Sequence, residues 1–234
     1  MISWLDFSET ERRKMIEVIS LFREQDTRDE LGIGSIRDIF ADHFFPGTTT
    51  LQTRARYFLF VPWMYKYLER RKVPSIKITS RLRQDEIQLI DRLKKAGETG
   101  VIGERSGISL HRFPSSIYWK GLQRWGICRF PGTQEQYHRF LDRWYESIKQ
   151  ASQIDEYSSV GEIQNWDPDL PDKPEDDSAN NRLSLTVTEA GYLLERLRLT
   201  CTGSLITELV ETTNPVDDTV VFPWLHPQFD SFPG

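Results

Sequence analysis

The chain has 234 residues, 38% hydrophobic and 28% charged, with a net charge of −5. Those totals describe a soluble chain of one large domain, or one with a small appendage, able to bury a core without covalent staples. Its two cysteines, Cys128 and Cys201, follow no metal or redox spacing, which predicts a reduced, cytoplasmic protein rather than a disulfide scaffold.

Charge is unevenly spread. Residues 51–130 carry 17 Lys and Arg against 6 Asp and Glu, whereas residues 151–234 carry 4 against 16. Such a basic block either meets an outside polyanion or docks on the chain's own acidic third.

In chain order, the opening MISWLDFSETERRK has no basic start followed by an apolar run, so no signal peptide is expected. Ser8 and Glu11 form a capping box for a helix carrying Met15, Val18, Ile19 and Phe22. REQDTRDELGIGSIRD (23–38) is dense in charge. Glu24, Asp26, Asp29 and Glu30 would be the carboxylates of a base-excising glycosylase or a nuclease, with Asp26 and Asp29 the chosen catalytic pair. Only a nuclease would need Mg²⁺; otherwise no cofactor is expected. The plainer reading is a salt-bridged turn. Ser35 opens a second helix, with Ile36, Ile39, Phe40 and His43 or Phe44 on one side, stopped by Pro46-Gly47.

A third helix is predicted over 51–72, bent near Pro62. Its run from Tyr57 to Tyr65 is too short to cross a membrane and points every way round, as a buried central helix does. Arg54 and Arg56 stand about 200° apart on a helix and form no single patch. Gly47 to Thr50 would offer an anion-binding helix start, or ordinary capping. Arg70, Arg71 and Lys72 sit at the C-terminal end, where cations suit the dipole. A fourth helix is expected from Arg81 to Ala96, stopped at Gly97, with Leu82, Ile87, Ile90 and Leu93 inside.

Within SGISLHRFPSSIYWKGLQRWGI (106–127), a helix led by Ser115 or Ser116 sets Lys120, Gln123 and Arg124 against Ile117 and Leu122. With the preceding turn it resembles a helix-turn-helix module, although LHRFP is too long for the turn and no wing follows. The alternative is core packing of Tyr118, Trp119 and Trp125. Thr133 and Gln136 cap a helix striped by Tyr137, Phe140, Leu141, Trp144 and Ile148. Residues 151–182 read as an acidic, proline-rich linker or loop. LSLTV then alternates like a strand, Thr188 caps a helix with Leu193, Leu194 and Leu197, and Gly203-Ser204 begins a last short one.

Metal chemistry finds no support: His43, His111, His138 and His226 are isolated. His138 and Asp142 read as a surface pair. GIGSIR lacks the third glycine of a dinucleotide loop, and Walker A, GxSxG and HExxH are absent.

Taken as an ordered set, ISWLDFSE, LFREQDTRDELGIGSIRD, FPGTTTLQTRARYFLFVPW, PSSIYWKGLQRWGI and FPWLHP resemble an uncharacterised bacterial family, domain of unknown function 6361. The resemblance implies no reaction, cofactor or catalytic residue. It implies a setting in mobile or antiviral gene neighbourhoods, and relatives that often run longer.

The expectation is a mainly α protein: a helical domain over 1–150, the 151–182 linker, and a small strand-helix-helix portion over 183–234. Its function is expected to be nucleic-acid binding, DNA above all, in defence against phage. Phosphate contacts are assigned to Arg54, Arg70, Arg71, Lys72, Lys77, Arg81, Arg83, Lys120 and Arg124. The alternatives are a DNA glycosylase or nuclease, and a subunit docking a protein partner through 151–182 or the C-terminus.

Overall fold

The computed structural model describes residues 33–104, 110–154, 164–175 and 181–211. The Ser8 helix, Glu24, Asp26, Asp29, Glu30 and the aromatic C-terminus lie outside the described residues. Seven α-helices are described: α1 (Ile33–Phe44), α2 (Tyr57–Arg70), α3 (Ser75–Lys95), α4 (Pro114–Arg124), α5 (Gln134–Ile154), α6 (Val187–Thr200) and α7 (Leu205–Glu211). The fold is mainly α. The chain divides into two compact units, residues 1–43 and 44–234. In the first, Ile36, Ile39 and Phe40 of α1 are exposed.

In the second unit α2 packs on α3 and α4, and α3 on α5. Helix α2 is the core: Tyr57 through Trp63, then Tyr65 and Leu68, are buried, as the all-round apolar run requires. It begins six residues later than the sequence suggests. A side chain competes for the backbone before it: the Tyr118 hydroxyl donates to the Arg54 carbonyl (2.8 Å) and accepts from the Arg54 N–H (3.3 Å). Gly47–Thr50 is therefore a turn, not a helix start, with the Thr48 N–H and hydroxyl both bonded to the Phe45 carbonyl.

Helix α3 starts six residues earlier than expected, just after Pro74, an extended residue that leads naturally into a helix. The added turn resets its buried stripe to Ile78, Leu82, Glu86, Leu89, Ile90 and Leu93. Ile87 is only half-buried, and Glu86 takes the core position instead. Pro114 is the first residue of α4, preceded by extended Phe113. Tyr118, Trp119 and Trp125 are buried, and Trp125 stacks on Phe58 with centroids 3.9 Å apart. Helix α4 is the helix expected after Ser115 or Ser116, and most of the helix-turn read before it, GERSGIS (103–109), lies outside the described residues. At α5 the expected cap is present, Thr133 and Gln136 exchanging backbone–side-chain bonds of 2.8 and 3.2 Å.

Part of the 151–182 linker or loop is irregular chain packed into the core. Asn165, Trp166, Asp167 and Leu170 are buried, Trp166 stacks near Tyr65, and an isolated bridge joins Cys128 to Trp166. The predicted strand at LSLTV does not form. Thr186, not Thr188, caps α6, because Glu189 completes a capping box with it. The described residues of the 183–234 portion are helix, turn and irregular chain, without the expected strand. Both cysteines are buried and free, and burial pushes the Cys128 thiol up to about 12. Among the described residues no helix is long and apolar enough to cross a membrane.

Candidate nucleic-acid interface

Residues 60, 63, 64 and 67 follow helical spacing, so Phe60, Trp63, Met64 and Tyr67 make one face of α2. Lys66 and Arg70 flank it. On α3, Lys77, Arg81, Asp85, Gln88 and Arg92 fall within about 80° of one another at 100° per residue. These two faces enclose a groove of about 340 Å³, closed along a third side by Asp172 and Lys173. The third side is tied down by Trp63, whose Nε1 donates to the Pro171 carbonyl at 2.7 Å. Lys66, Arg70, Arg92 and Lys173 thus reach one concavity from three separate segments.

Asp85 sits among them. Burial raises its carboxyl above the ordinary range, while Arg81, Arg92, Arg71 and Lys173 pull it down. Tyr67 is 45% exposed and offers a ring at the rim. Arg71 lies over that ring, 5.3 Å from its centroid, and donates to the Tyr67 hydroxyl.

The nine nominated cations are not gathered on one face. Arg70 lines the groove, Arg71 and Arg81 lie near Asp85, and Lys77 is one turn before Arg81 on the same stripe. Lys72 occupies the α2–α3 turn in a left-handed conformation (φ 50°). Arg83, two residues on from Arg81, points the other way and covers the Phe113 ring at 5.0 Å. Arg54 is held elsewhere by Thr99 Oγ1 at 3.1 Å, against Gly100. Lys120 and Arg124 are exposed on α4, Arg124 packing beside Gly47. Lys66, Arg92 and Lys173 are not among the cations expected from the sequence. Lys66 shares a face with Arg70 at i, i+4, and Arg92 lies on the Arg81 stripe three turns on, both readable signals; Lys173 lies in the acidic segment and gives none.

Internal docking of the basic block on the acidic third is also present, through other residues. Arg56, 1% exposed, pairs with buried Glu189 at 2.7 Å and donates to the Arg182 carbonyl at 2.8 Å. Asp167 receives Arg129 at 2.9 Å, Arg196 at 3.3 Å and the Tyr192 hydroxyl at 3.0 Å. Among the described residues, no ion pair engages Arg70, Arg71, Lys77, Arg81 or Arg92. No group of three or more His, Cys, Asp or Glu side chains among them is placed to hold a metal ion.

A family model described as a family of unknown function (DUF6361) matches residues 1–228. No curated protein and no solved structure matches the chain.

Proposed function

Because the chain belongs to the DUF6361 family, whose description names no activity, we propose its function from its surface chemistry: it binds nucleic acid, DNA in the first instance, along the α2–α3 groove. One observation carries this reading. Four cations from three segments converge on a concave surface beside an exposed tyrosine, and no ion pair among the described residues ties up Arg70 or Arg92. Phosphates gain from such a rim through counterion release, which supplies sequence-independent affinity. The Tyr67 ring is a stacking surface for an unpaired base. Asp85 holds neighbouring guanidinium groups in place by attraction. Two free, buried cysteines suit a reducing cytoplasm, and the setting implied by the family resemblance is defence against phage.

Fluorescence anisotropy with labelled DNA tests the reading. Arg70→Glu with Arg92→Glu, both on exposed positions, is expected to weaken binding at least tenfold. Lys120→Glu with Arg124→Glu, away from the groove, is expected to change it less than threefold. The reverse ranking would move the interface to α4 and reject the groove.

A further inference from the structure

Helix α3 has a second functional-looking face, turned about 150° from the groove at 100° per residue. Thr79, Leu82, Arg83 and Glu86 lie on it, and they line a cavity of about 320 Å³ with residues of α4, α5 and the segment before α4. Its apolar wall is Leu82, Leu110 and Phe113. The polar groups sit together: Glu86, Ser115, Gln134, His138 and Thr79.

That polar end is fixed by a chain of bonds. The Ser115 N–H donates to Glu86 Oε1 at 2.7 Å. Gln134 Nε2 donates to Ser115 Oγ at 2.9 Å and to the Tyr65 hydroxyl at 2.8 Å. The Tyr65 hydroxyl meets His138 Nε2 at 2.8 Å, and Thr79 Oγ1 meets His138 Nδ1 at 3.1 Å. Glu86 is 2% exposed and has no ion pair among the described residues. A carboxylate in an apolar stripe without a paired cation is costly to keep, and such groups in cavities mark binding or catalytic sites.

We propose that this cavity binds a neutral, planar nitrogen heterocycle presenting two adjacent N–H donors, the Watson–Crick edge of a guanine-type base, with Glu86 as the acceptor. The carboxylate has lone pairs beyond those engaged by the Ser115 N–H and hydroxyl, and its geometry matches a pair of N–H groups. An anionic ligand is repelled by Glu86. A cationic one is disfavoured by the Arg83 guanidinium already stacked on the Phe113 wall. Leu82, Leu110 and the Arg83–Phe113 stack suit a flat apolar body with its polar edge turned inward. Adenine offers one donor beside an acceptor and leaves the carboxylate mismatched.

The pH dependence follows from the groups around Glu86: Asp85 and Arg83 on its own helix, Ser115 on α4, Gln134 and His138 on α5, and His111 before α4. Burial raises the Glu86 carboxyl to about 7 despite the Ser115 bonds, and holds His138 neutral, down at about 4. Glu86 is therefore about one-tenth ionised at pH 6 and about nine-tenths at pH 8, so affinity for an N–H donor rises about tenfold across that range.

Calorimetric titration of the full chain with guanosine, inosine, adenosine and uridine at pH 8 tests the proposal. Guanosine is expected to bind, inosine about tenfold more weakly for want of its amino group, and adenosine and uridine more weakly still. Glu86→Gln is expected to lose guanosine at least tenfold. Ser116→Trp, at an exposed position on the cavity wall, is expected to block binding while leaving the melting temperature unchanged, which covers the case in which Glu86→Gln misfolds. Arg70→Glu with Arg92→Glu is expected to leave guanosine binding intact, so loss of the groove reading and loss of this one are told apart. Equal binding of guanosine and adenosine, no binding at millimolar nucleoside, or guanosine binding that survives Ser116→Trp overturns it.

Discussion

Glu86→Gln is the most informative single substitution, because it keeps side-chain volume and removes one ionisation. In an unfolded chain the carboxyl titrates near its ordinary 4.5; in the fold, burial raises it to about 7. Between those values the folded protein holds a proton that the unfolded chain has lost. Wild-type stability from this group is thus complete below pH 4.5 and lost as pH rises through 7. At about 1.4 kcal/mol per pH unit, the loss is on the order of 3 kcal/mol. His138 works in the opposite sense. Its folded value is depressed from 6.5 to about 4, so its contribution is present above 6.5 and lost as pH falls towards 4. The two trends oppose each other from about pH 4.5 to 6.5 and flatten the wild-type profile. Urea unfolding of both proteins from pH 4.5 to 8 reads the difference, in which other shifted groups such as Glu69 and Asp85 cancel. The variant is expected to gain about 3 kcal/mol on the wild type across that range. A difference that does not change with pH refutes the assignment of a buried, unpaired carboxylate.

Further outcomes follow from packing. Gly121→Ala would place a Cβ 2.5 Å from the Gly47 carbonyl oxygen and 2.8 Å from the Phe58 ring; a loss of about 2–3 kcal/mol is expected in thermal or urea unfolding. Gly191, inside α6, has open space around its Cβ direction, so Gly191→Ala is expected to stabilise by roughly 0.5–1 kcal/mol in the same assay. Arg56→Ala strands the Glu189 carboxylate in the core and is expected to cost about 3–5 kcal/mol by urea unfolding.

The helical class and the burial of 57–65 were legible because a nine-residue apolar run in a helix has no polar side to expose. Boundaries were less so. The Arg54 carbonyl is claimed by Tyr118, far away in sequence, and no local pattern announces that. Starting α3 at Arg81 hid Ile78, and without Ile78 the 78–82–86–89–93 stripe, with Glu86 inside it, does not stand out. Five alternating residues at LSLTV suggested a strand, but the Thr186–Glu189 capping box within them decides for helix. Of the expected phosphate contacts, Arg70 lines the groove and Arg71 and Arg81 lie near its Asp85. Arg83 was misplaced for a reason available from the start: two residues along a helix is about 200°, the same argument that separated Arg54 from Arg56. The burial of Trp166 and Asp167 came from tertiary partners, Tyr65 and two arginines, that composition cannot show.

Phosphate contact along the α2–α3 groove is read by a salt series of DNA binding. Four groove cations displacing counterions from duplex DNA give a log–log slope of roughly −3 to −4. Arg70→Glu with Arg92→Glu should make that slope shallower by about two. A slope near zero, or one that the double variant leaves unchanged, contradicts the claim.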